Sequence, residues 1–370
     1  MVRSDHRAIA MPVLPRRAAI KTFDEFRDAL AGYRLPRILL TALRLDLFSR
    51  IGNRRWTIPQ LAQELAVSER GLSLLCRNLA MAGLLKKSGT VYRNSPLAAT
   101  ALNARHAAYR RDYLDLIASH WKDWCRLEES VRTGRPLDHD EPEEPDYRRR
   151  FTWAMHYRTL ETAPKIAAQV DLTGASTLLD LGGGPGTYAM AFLAKNPRLR
   201  ATVGDRPAAL EVAKEIAATH RAGKRLSYLP IDLTKEPITG TYDVIWYSNV
   251  LHIYSPKTNR AVFRRALAAL NPGGRLLIQD AFLHDREGLF PEEASLFGIS
   301  MLLFTDEGDT YTAAETTAWL KEAGFGRVRV LPMKRGTEDW EDGILEAAAP
   351  GPRRETRARR TRSRGSSAFR

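Results

Sequence analysis

Thr-Leu-Leu-Asp-Leu-Gly-Gly-Gly-Pro-Gly-Thr-Tyr-Ala-Met, residues 177–190, is the segment from which the architecture of the chain follows. Its leucines, Leu178, Leu179 and Leu181, form the short apolar run that is typical of a buried parallel strand. Four glycines follow within five positions, and apolar residues then resume at helical spacing. Glycines let the backbone approach a ligand closely, and the N-terminus of a helix offers free N–H groups. The segment therefore predicts a strand, a ligand-binding turn and a helix.

The spacing of the glycines distinguishes two classes of cofactor loop. Gly182, Gly184 and Gly186 form Gly-x-Gly-x-Gly, and Thr187 stands where the dinucleotide-binding pattern has its third glycine. An acid, Asp180, precedes the first glycine by two residues. Both features argue against an NAD-dependent dehydrogenase. A glycine loop without any ligand is the alternative, and the polar residues further along the chain argue against it.

Strand-like and helix-like segments alternate after this loop, which predicts an α/β fold with a Rossmann-like, doubly wound parallel sheet. Ligands of such sheets bind beyond the carboxyl ends of the strands. Five predicted strands have a polar residue at or near this end, namely Asp180, Asp205, Asp232, His252 and Asp280. We therefore expect these side chains to surround one site.

Ahead of the sheet, the sequence predicts an α-helical winged-helix domain. Capping boxes at Thr22 and Thr57 begin two helices, another helix is predicted over 69–81, and a hairpin around 88–89 forms the wing. Such a domain either binds DNA or serves as a packing module. The helix over 69–81 has few side chains that could read a DNA groove, namely Arg70, Arg77 and Asn78. We therefore expect no specific nucleic-acid partner.

Two other segments bear on partners and substrate. A strongly apolar helix is predicted over 36–51, and it has more apolar surface than its own domain can cover, which predicts a homodimer through the N-terminal domain. Residues 105–170 are predicted to be helical and are rich in aromatic side chains. Such helices beside a cofactor domain can form the floor of a pocket for a flat apolar substrate, although an ordinary core is an equally good interpretation.

The composition limits the class of protein. A chain of 370 residues that is 44% hydrophobic and 27% charged is ordinary for a globular protein of two domains. It contains no apolar run of about 18 residues and no signal-peptide pattern, so we expect no membrane segment. The two cysteines, Cys76 and Cys125, form neither a disulfide framework nor a zinc pattern. This usage is typical of the reducing cytoplasm.

The charge of the chain is unevenly distributed. The formal net charge is +14, and residues 351–370 contribute half of it, with eight arginines and one glutamate. This tail has almost nothing apolar to bury, and we expect it to be disordered and solvated, with only weak attraction to polyanions. An acidic, proline-interrupted run over 138–146 is interpreted as a solvated loop, and we expect no metal site there.

These observations divide the chain into five segments. We predict a disordered N-terminus over 1–20, a winged-helix dimerisation domain over 21–104, a helical linker and substrate-pocket segment over 105–170, a cofactor-binding domain over 171–350, and a disordered basic tail over 351–370.

Taken together, residues 20–348 resemble the small-molecule O-methyltransferases of the caffeate and hydroxyindole type, which are class I enzymes dependent on S-adenosylmethionine. The likeness rests on Leu-Leu-Asp-Leu-Gly-Gly-Gly-Pro-Gly over 178–186, Gly-Asp-Arg-Pro over 204–207, Ile-Asp-Leu over 231–233, Asn-Val-Leu-His over 249–252, Asn-Pro-Gly-Gly-Arg-Leu-Leu-Ile over 271–278 and Glu-Ala-Gly-Phe over 322–325. The glycine motif alone indicates only a methyltransferase, whereas its combination with the N-terminal domain is specific.

The resemblance implies which residues would bind S-adenosylmethionine. Asp205 would accept hydrogen bonds from the two ribose hydroxyls, and Asp232 and Leu233 would bracket the adenine. The remaining cofactor-binding residues would be Asp180, Gly182, Gly184 and Ser248.

The resemblance also implies the catalytic residues. His252 matches the general base of the family, and Asp280 matches the acid beside that base. A phenol has a pKa of about 10, so a histidine with a pKa of about 6.5 suits the removal of its proton at neutral pH. The substrate pocket would include Met155, Tyr254 and Thr310, and the reaction needs no metal.

Some positions depart from the family pattern. Plant members follow the base with Asp-Trp, where this chain has Ile253 and Tyr254. A second acid of those enzymes aligns with Thr310, and a lysine near the cofactor aligns with Ser248. O-methylation of an aromatic or polyketide-like hydroxyl is therefore the leading hypothesis, while C- or N-methylation and non-methylating use of the cofactor stay open. A winged-helix DNA-binding regulator that senses the cofactor is a third hypothesis.

Overall fold

The computed structural model of the chain describes residues 19–137, 145–284, 287–331 and 343–351. The predicted N-terminal segment 1–20, the acidic run 138–146 and the basic tail 351–370 lie wholly or mostly outside these residues. The predictions made for them stay predictions.

Residues 23–100 form a helical unit with a small antiparallel sheet. Its elements in chain order are α1 (Phe23–Leu30), a 3-10 helix (Ala31–Tyr33), α2 (Arg34–Arg44), α3 (Leu47–Ile51), β1 (Trp56–Thr57), α4 (Ile58–Leu65), α5 (Glu69–Met81), β2 (Leu85–Ser88), β3 (Val91–Asn94) and α6 (Pro96–Thr100). The strands pair in the order β1-β3-β2. Both predicted capping boxes are present, at Thr22 and Thr57. The predicted N-terminal helical unit with its hairpin is confirmed.

The segment 36–51 differs from the single helix that was predicted. α2 ends at Arg44 and α3 begins at Leu47, because Asp46 between them adopts a left-handed backbone with φ 50°. A left-handed residue cannot continue a right-handed helix, so the chain changes direction there.

The exposed apolar surface of this unit also lies elsewhere than predicted. Most apolar side chains of 36–51 pack into the core of their own unit, including Ala42, Leu47, Phe48 and Ile51. The uncovered surface lies one helix earlier: Phe23, Phe26, Leu30 and Tyr33 are 77%, 47%, 62% and 59% exposed. A large part of the exposed apolar surface of this unit therefore lies on α1 and the turn after it, and not on the segment 36–51.

Helices occupy most of 111–133 and 145–169, in agreement with the prediction for this region, whereas residues 105–110 are not helical. The described residues of 177–348 form the large sheet with its flanking helices. The helices of the first part are α7 (Arg111–Trp124), α8 (Leu127–Thr133), α9 (Pro145–Thr159) and α10 (Thr162–Gln169). The second part contains β4 (Thr177–Leu181), α11 (Thr187–Lys195), β5 (Arg200–Asp205), α12 (Pro207–Thr219), a 3-10 helix (Arg221–Arg225), β6 (Leu226–Pro230), β7 (Tyr242–Ser248), a 3-10 helix (Leu251–Ile253), α13 (Pro256–Ala268), β8 (Leu270–Gln279), β9 (Phe282–Leu283), α14 (Glu292–Phe304), β10 (Tyr311–Thr312), α15 (Ala313–Glu322), β11 (Val328–Leu331) and β12 (Ile344–Ala348).

The large sheet confirms the predicted doubly wound fold. Its seven strands run in the order β11-β12-β8-β7-β4-β5-β6. The five strands from β8 to β6 are parallel. At one edge of the sheet, β12 pairs antiparallel with β8, and β11 pairs antiparallel with β12. β5 and β6 lie on one side of β4, and the chain then crosses over to form β7 on the other side. The crevice for a ligand therefore lies between the carboxyl ends of β4 and β7.

Two parts of this region differ from expectation or were not predicted. The segment 271–274, expected to be a turn before the fifth strand, is part of β8 (Leu270–Gln279) but forms an irregularity in its pairing with β7, because the paired residues change from Tyr242–Leu270 to Val244–Arg275 and Gly273 has φ 78°. α14 and the short parallel pair of β9 with β10 had no counterpart in the sequence analysis. In the described ranges, no helix is long and apolar enough to cross a membrane.

Candidate active site

The glycine loop connects β4 to α11 and is tight for steric reasons. Gly182, Gly184 and Gly186 have positive φ angles of 72°, 50° and 69°, which residues other than glycine rarely adopt. A Cβ atom at Gly183 would lie 2.5 Å from Cγ of Asp180, and one at Gly182 would lie 2.7 Å from a methyl group of Val250. The loop can therefore fold back over the end of β4 only with glycines at these positions.

Asp180 lies beneath this loop and is 2% exposed. Its Oδ2 accepts a hydrogen bond from the backbone N–H of Ala189 at 3.2 Å. Burial raises the pKa of Asp180 to about 7, and the negative charge of Asp205 adds to the increase, against the lowering effect of the Ala189 N–H. This carboxyl group supports the loop from the interior of the domain.

Asp205, the last residue of β5, holds the loop from its other side. Its Oδ2 accepts the N–H of Gly184 at 2.7 Å, and its Oδ1 accepts the N–H of Arg206 at 2.7 Å. Burial raises the pKa of Asp205, although these two N–H groups and the charges of Arg206 and Arg148 oppose the increase. Each carboxylate oxygen can accept a second hydrogen bond, so Asp205 keeps acceptor capacity toward a ligand.

The other residues predicted for the cofactor lie at the neighbouring strand ends. Leu233 is buried, and one of its methyl groups lies 3.6 Å from the position of a Cβ at Gly182. Asp232 accepts the N–H and hydroxyl of Thr234, which fixes the turn after β6. The hydroxyl of Ser248, at the end of β7, donates to Oε1 of Gln279 at 3.0 Å.

His252 and Asp280 form a buried pair at the ends of β7 and β8. Nδ1 of His252 lies 2.7 Å from Oδ1 of Asp280, and the two side chains are 8% and 1% exposed. Asp280 also accepts the backbone N–H groups of Val250, Leu251 and Ala281. A carboxylate that accepts so many N–H groups acts as an acceptor toward the imidazole, so Nδ1 donates its proton to Asp280 and Nε2 keeps a free lone pair.

Phe297 on α14 packs against this pair and was missed by sequence reasoning. Its ring meets the His252 ring edge-on, with centroids 4.7 Å apart and an interplanar angle of 81°. The acid pair at 292–293 followed by an apolar run is compatible with a helix, but the run has no helical period and so does not indicate which side chain faces His252. α14 therefore provides an apolar wall beside the imidazole.

The three residues predicted for the substrate pocket lie on different elements. Thr310 is buried, and its hydroxyl oxygen lies 3.1 Å from the position of a Cβ at Gly298 on α14. Tyr254 is half-buried, and burial raises the pKa of its phenol, with Arg206 lowering it and Asp205 raising it. Its ring is thus within electrostatic range of the Asp205 side of the crevice. Met155 is half-buried on α9.

α9 brings two further polar residues to the glycine loop that were not predicted. Nδ1 of His156 lies 2.9 Å from the hydroxyl of Thr187, the first residue of α11. Burial lowers the pKa of His156 to about 4, and the positive charge of Arg110 adds to the decrease. Burial lowers the pKa of Arg148 as well, as does the charge of Arg206, while Asp205 raises it. α9 therefore brings a neutral imidazole against the first residue of α11 and a guanidinium group within electrostatic range of Asp205.

A metal site receives no support from this geometry. Among the described residues, no group of three or more His, Cys, Asp or Glu side chains could hold an ion. The acidic run after Leu137, considered as a metal candidate in the sequence, lies outside them almost entirely.

Comparisons with known proteins agree with this arrangement. Residues 127–326 match the model of the O-methyltransferase domain, and residues 28–104 match the O-methyltransferase dimerisation domain. The chain is 30% identical to the 3-hydroxy-5-methyl-1-naphthoate 3-O-methyltransferase of Streptomyces sahachiroi over 82% of its own length and 90% of the relative. It is also 30% identical to the tetracenomycin polyketide synthesis 8-O-methyltransferase of Streptomyces glaucescens, over 80% and 89%.

A solved structure extends the similarity to the fold. Human N-acetylserotonin methyltransferase in complex with SAM superposes with a TM-score of 0.75, at 21% identity, covering 90% of this chain and 99% of that one. At this identity the comparison supports the fold alone.

The raised pKa of Asp180 predicts a specific pH dependence of stability. Between its ordinary value of 3.8 and about 7, the folded protein keeps the Asp180 proton that the unfolded chain has lost. Asp180 therefore makes the free energy of unfolding fall as pH rises through this window, by up to about 1.4 kcal/mol per pH unit. Asp180→Asn should remove this contribution, so the stability of the variant relative to the wild type should rise between pH 5 and pH 7.

Denaturant unfolding of the ligand-free protein at several pH values measures this effect. Asp232→Asn is the matched control, because hydrogen bonds from Thr234 outweigh burial and lower the pKa of Asp232. An Asp180→Asn variant with the same pH profile as the wild type would show that Asp180 is already ionised across this window.

Proposed function

The chain belongs to the family of O-methyltransferases with an N-terminal dimerisation domain, and we propose that it transfers the methyl group of S-adenosylmethionine to a hydroxyl of an aromatic or polyketide-like small molecule. The observation that carries this proposal is the buried His252–Asp280 pair, located with the glycine loop at the crevice of the sheet. The relatives named above, which are O-methyltransferases for a naphthoate and for tetracenomycin, support this class of acceptor.

The residues of the crevice fit S-adenosylmethionine. Asp205 is the proposed acceptor for the ribose hydroxyls, since each of its oxygens accepts one backbone N–H and can accept a second hydrogen bond. Gly184 borders open space, because an added Cβ there would meet no heavy atom within 4 Å. Leu233 and Asp232 are proposed to bracket the adenine, and Asp180, Gly182 and Ser248 complete the proposed cofactor residues. When bound, the cofactor supplies a methyl group that its sulfonium already activates.

The proposed chemistry of the chain itself is proton removal and alignment. The acceptor hydroxyl gives its proton to Nε2 of His252, which is free because Nδ1 donates to Asp280. The carboxylate of Asp280 then stabilises the imidazolium and keeps the ring in one orientation. Phe297 contributes an apolar wall that excludes water from this side of the imidazole. Met155, Tyr254 and Thr310 remain proposed lining residues for the acceptor.

The acceptor class has a direct test. The purified protein should transfer one methyl group from S-adenosylmethionine to members of a panel of hydroxynaphthoates and hydroxyanthraquinones, as detected by mass spectrometry. Carbon NMR of the product should show an O-methyl carbon. A C-methyl or N-methyl product, or consumption of the cofactor without methylation, would contradict the proposal.

The organisation of the chain is proposed on the same basis. We propose the segment boundaries given in the sequence analysis, a homodimer formed through the N-terminal domain, and a cytoplasmic location with free Cys76 and Cys125. The exposed apolar side chains of α1 and the turn after it support the interface.

Disrupting that surface should separate the subunits. The double variant Phe23→Glu and Leu30→Glu places charges on the exposed apolar face, so sedimentation velocity should show a shift from dimer to monomer. Val131→Glu is the control, because Val131 is also exposed, at 61%, but lies on α8. A wild-type protein that sediments as a monomer across the concentration series would refute the dimer.

Removal of the Asp205 carboxylate should weaken cofactor binding. Asp205→Ala deletes the proposed ribose acceptor and frees the N–H of Gly184, at a cost of about 1.5–3 kcal/mol for hydrogen bonds to a charged group. Calorimetry with S-adenosylmethionine should detect this loss, whereas Glu211→Ala, an exposed acid on α12, should leave binding unchanged. Unchanged affinity in Asp205→Ala would exclude Asp205 from the cofactor site.

Removal of the imidazole should lower turnover and spare cofactor binding. His252→Ala should decrease kcat by about 10²–10⁴-fold, the usual contribution of a general base. Asp280→Asn should in addition destabilise the fold, because the introduced NH₂ group would face the backbone N–H groups that donate to the carboxylate in the wild type. His106→Ala, at an exposed histidine between α6 and α7, is the control. Full turnover in His252→Ala would mean that alignment alone drives the transfer.

A further inference from the structure

Asn259, on the first turns of α13, is a buried polar residue to which the mechanism above assigns no task. It is 0% exposed. Its Nδ2 donates to the carbonyl of Leu251 at 2.9 Å and to the carbonyl of Tyr254 at 2.8 Å. Its Oδ1 accepts the phenolic hydroxyl of Tyr247 at 3.2 Å. Both N–H groups of the side-chain amide and its oxygen are therefore hydrogen-bonded in the interior of the domain.

The two carbonyl groups that Asn259 binds lie on either side of His252. Leu251 begins the single-turn 3-10 helix that carries His252, and Tyr254 immediately follows its end. A helix this short has few internal hydrogen bonds, so its carbonyl groups need other partners when they are buried. Asn259 supplies one partner to each side and thereby fixes the length and pitch of this turn.

Other contacts hold the same turn but do not replace this connection. The carbonyl of His252 accepts the N–H of Asp309 at 2.9 Å, and Asp280 accepts the N–H groups that precede the histidine. The hydroxyl of Tyr311 also donates to the carbonyl of Tyr254, at 2.8 Å. The Asp280 contacts fix the N-terminal side of the turn, and the N–H of Tyr254 reaches the carbonyl of Leu251 at 3.4 Å. Asn259 adds the hydrogen bonds that connect both of these carbonyl groups to α13.

We propose that Asn259 is a positioning residue for His252, acting through the backbone of the turn that carries the imidazole; this inference rests on the proposed role of His252 as the base. The chemistry of the position requires an amide. Two donors serve two carbonyl groups, and one acceptor serves a hydroxyl. Aspartate of the same size has no donor when ionised, and leucine has neither function.

A purely structural role of Asn259 would predict a different effect of its removal. If Asn259 only stabilised α13, its loss would lower the free energy of unfolding and leave the folded enzyme with normal kcat. A positioning residue must also alter the geometry of the imidazole in the folded state. A small displacement of a reacting group can cost about 10²-fold in rate. The two roles are therefore separable by experiment.

The test compares Asn259→Ala with Val262→Ala in the full-length protein. Val262 is 1% exposed and lies one turn further along α13, so its truncation weakens the same helix without removing a hydrogen bond to the His252 turn. We expect Asn259→Ala to lower kcat by about 10- to 100-fold at saturating acceptor, with unchanged affinity for S-adenosylmethionine. Val262→Ala should keep kcat although it also lowers the melting temperature.

A spectroscopic readout makes the test independent of turnover. The Nδ1–H proton of His252, bonded to the buried Asp280, should give a downfield imidazole resonance that His252→Ala abolishes. This resonance should shift or broaden in Asn259→Ala and persist unchanged in Val262→Ala. If Asn259→Ala does not fold, Asn259→Ser, which keeps one hydroxyl donor, should show the same two effects in part.

The outcomes separate this inference from the proposed function. Wild-type kcat and an unchanged imidazole resonance in the folded Asn259 variants, with His252→Ala inactive, would overturn the positioning role alone. Equal losses in Asn259→Ala and Val262→Ala would likewise assign Asn259 to stability. Full activity of His252→Ala would instead refute the base, and the imidazole resonance would still report whether Asn259 holds the ring.

Discussion

The site depends on one buried carboxylate, that of Asp280, which binds both the imidazole of His252 and the backbone ahead of it. Ionised carboxylates are costly to bury unless their oxygens are fully hydrogen-bonded. Asp280 meets this condition with the N–H groups of Val250, Leu251 and Ala281 and with Nδ1 of His252. The same bonds that make the charge tolerable also fix the tautomer and direction of the ring, so stability and chemistry have a common origin.

The cofactor side of the crevice uses the same device. Asp205 ends β5 and binds the backbone N–H of Gly184 in the loop after the adjacent strand β4. Asp280 follows β8 and binds the backbone after the adjacent strand β7. Parallel strands end at one edge of a sheet, so an acid after one strand can reach the loop after its neighbour. The register of the sheet thereby builds both halves of the site.

The residues at strand ends could be predicted from the sequence because short apolar runs and glycines define where each strand stops. The prediction of structure from sequence failed where the local sequence has no pattern that specifies the structure. α14 is apolar on all sides and shows no helical period, so Phe297 beside His252 was not anticipated. Asp46 breaks the segment 36–51 through a left-handed backbone that its residue type permits but does not require. Asn259 gave no signal either, because its three partners become neighbours only when the chain folds.

The central claim is that His252 removes a proton from the acceptor hydroxyl. It is tested most directly by methylation rates of the wild type and of His252→Ala on a series of phenols that share one ring system and differ in pKa. Acidic phenols ionise without assistance, so the ratio of the two rates should fall toward one as the phenol pKa approaches the pH of the assay. A ratio that stays constant across the series would contradict the account, because His252 would then contribute by shape and not by accepting the proton.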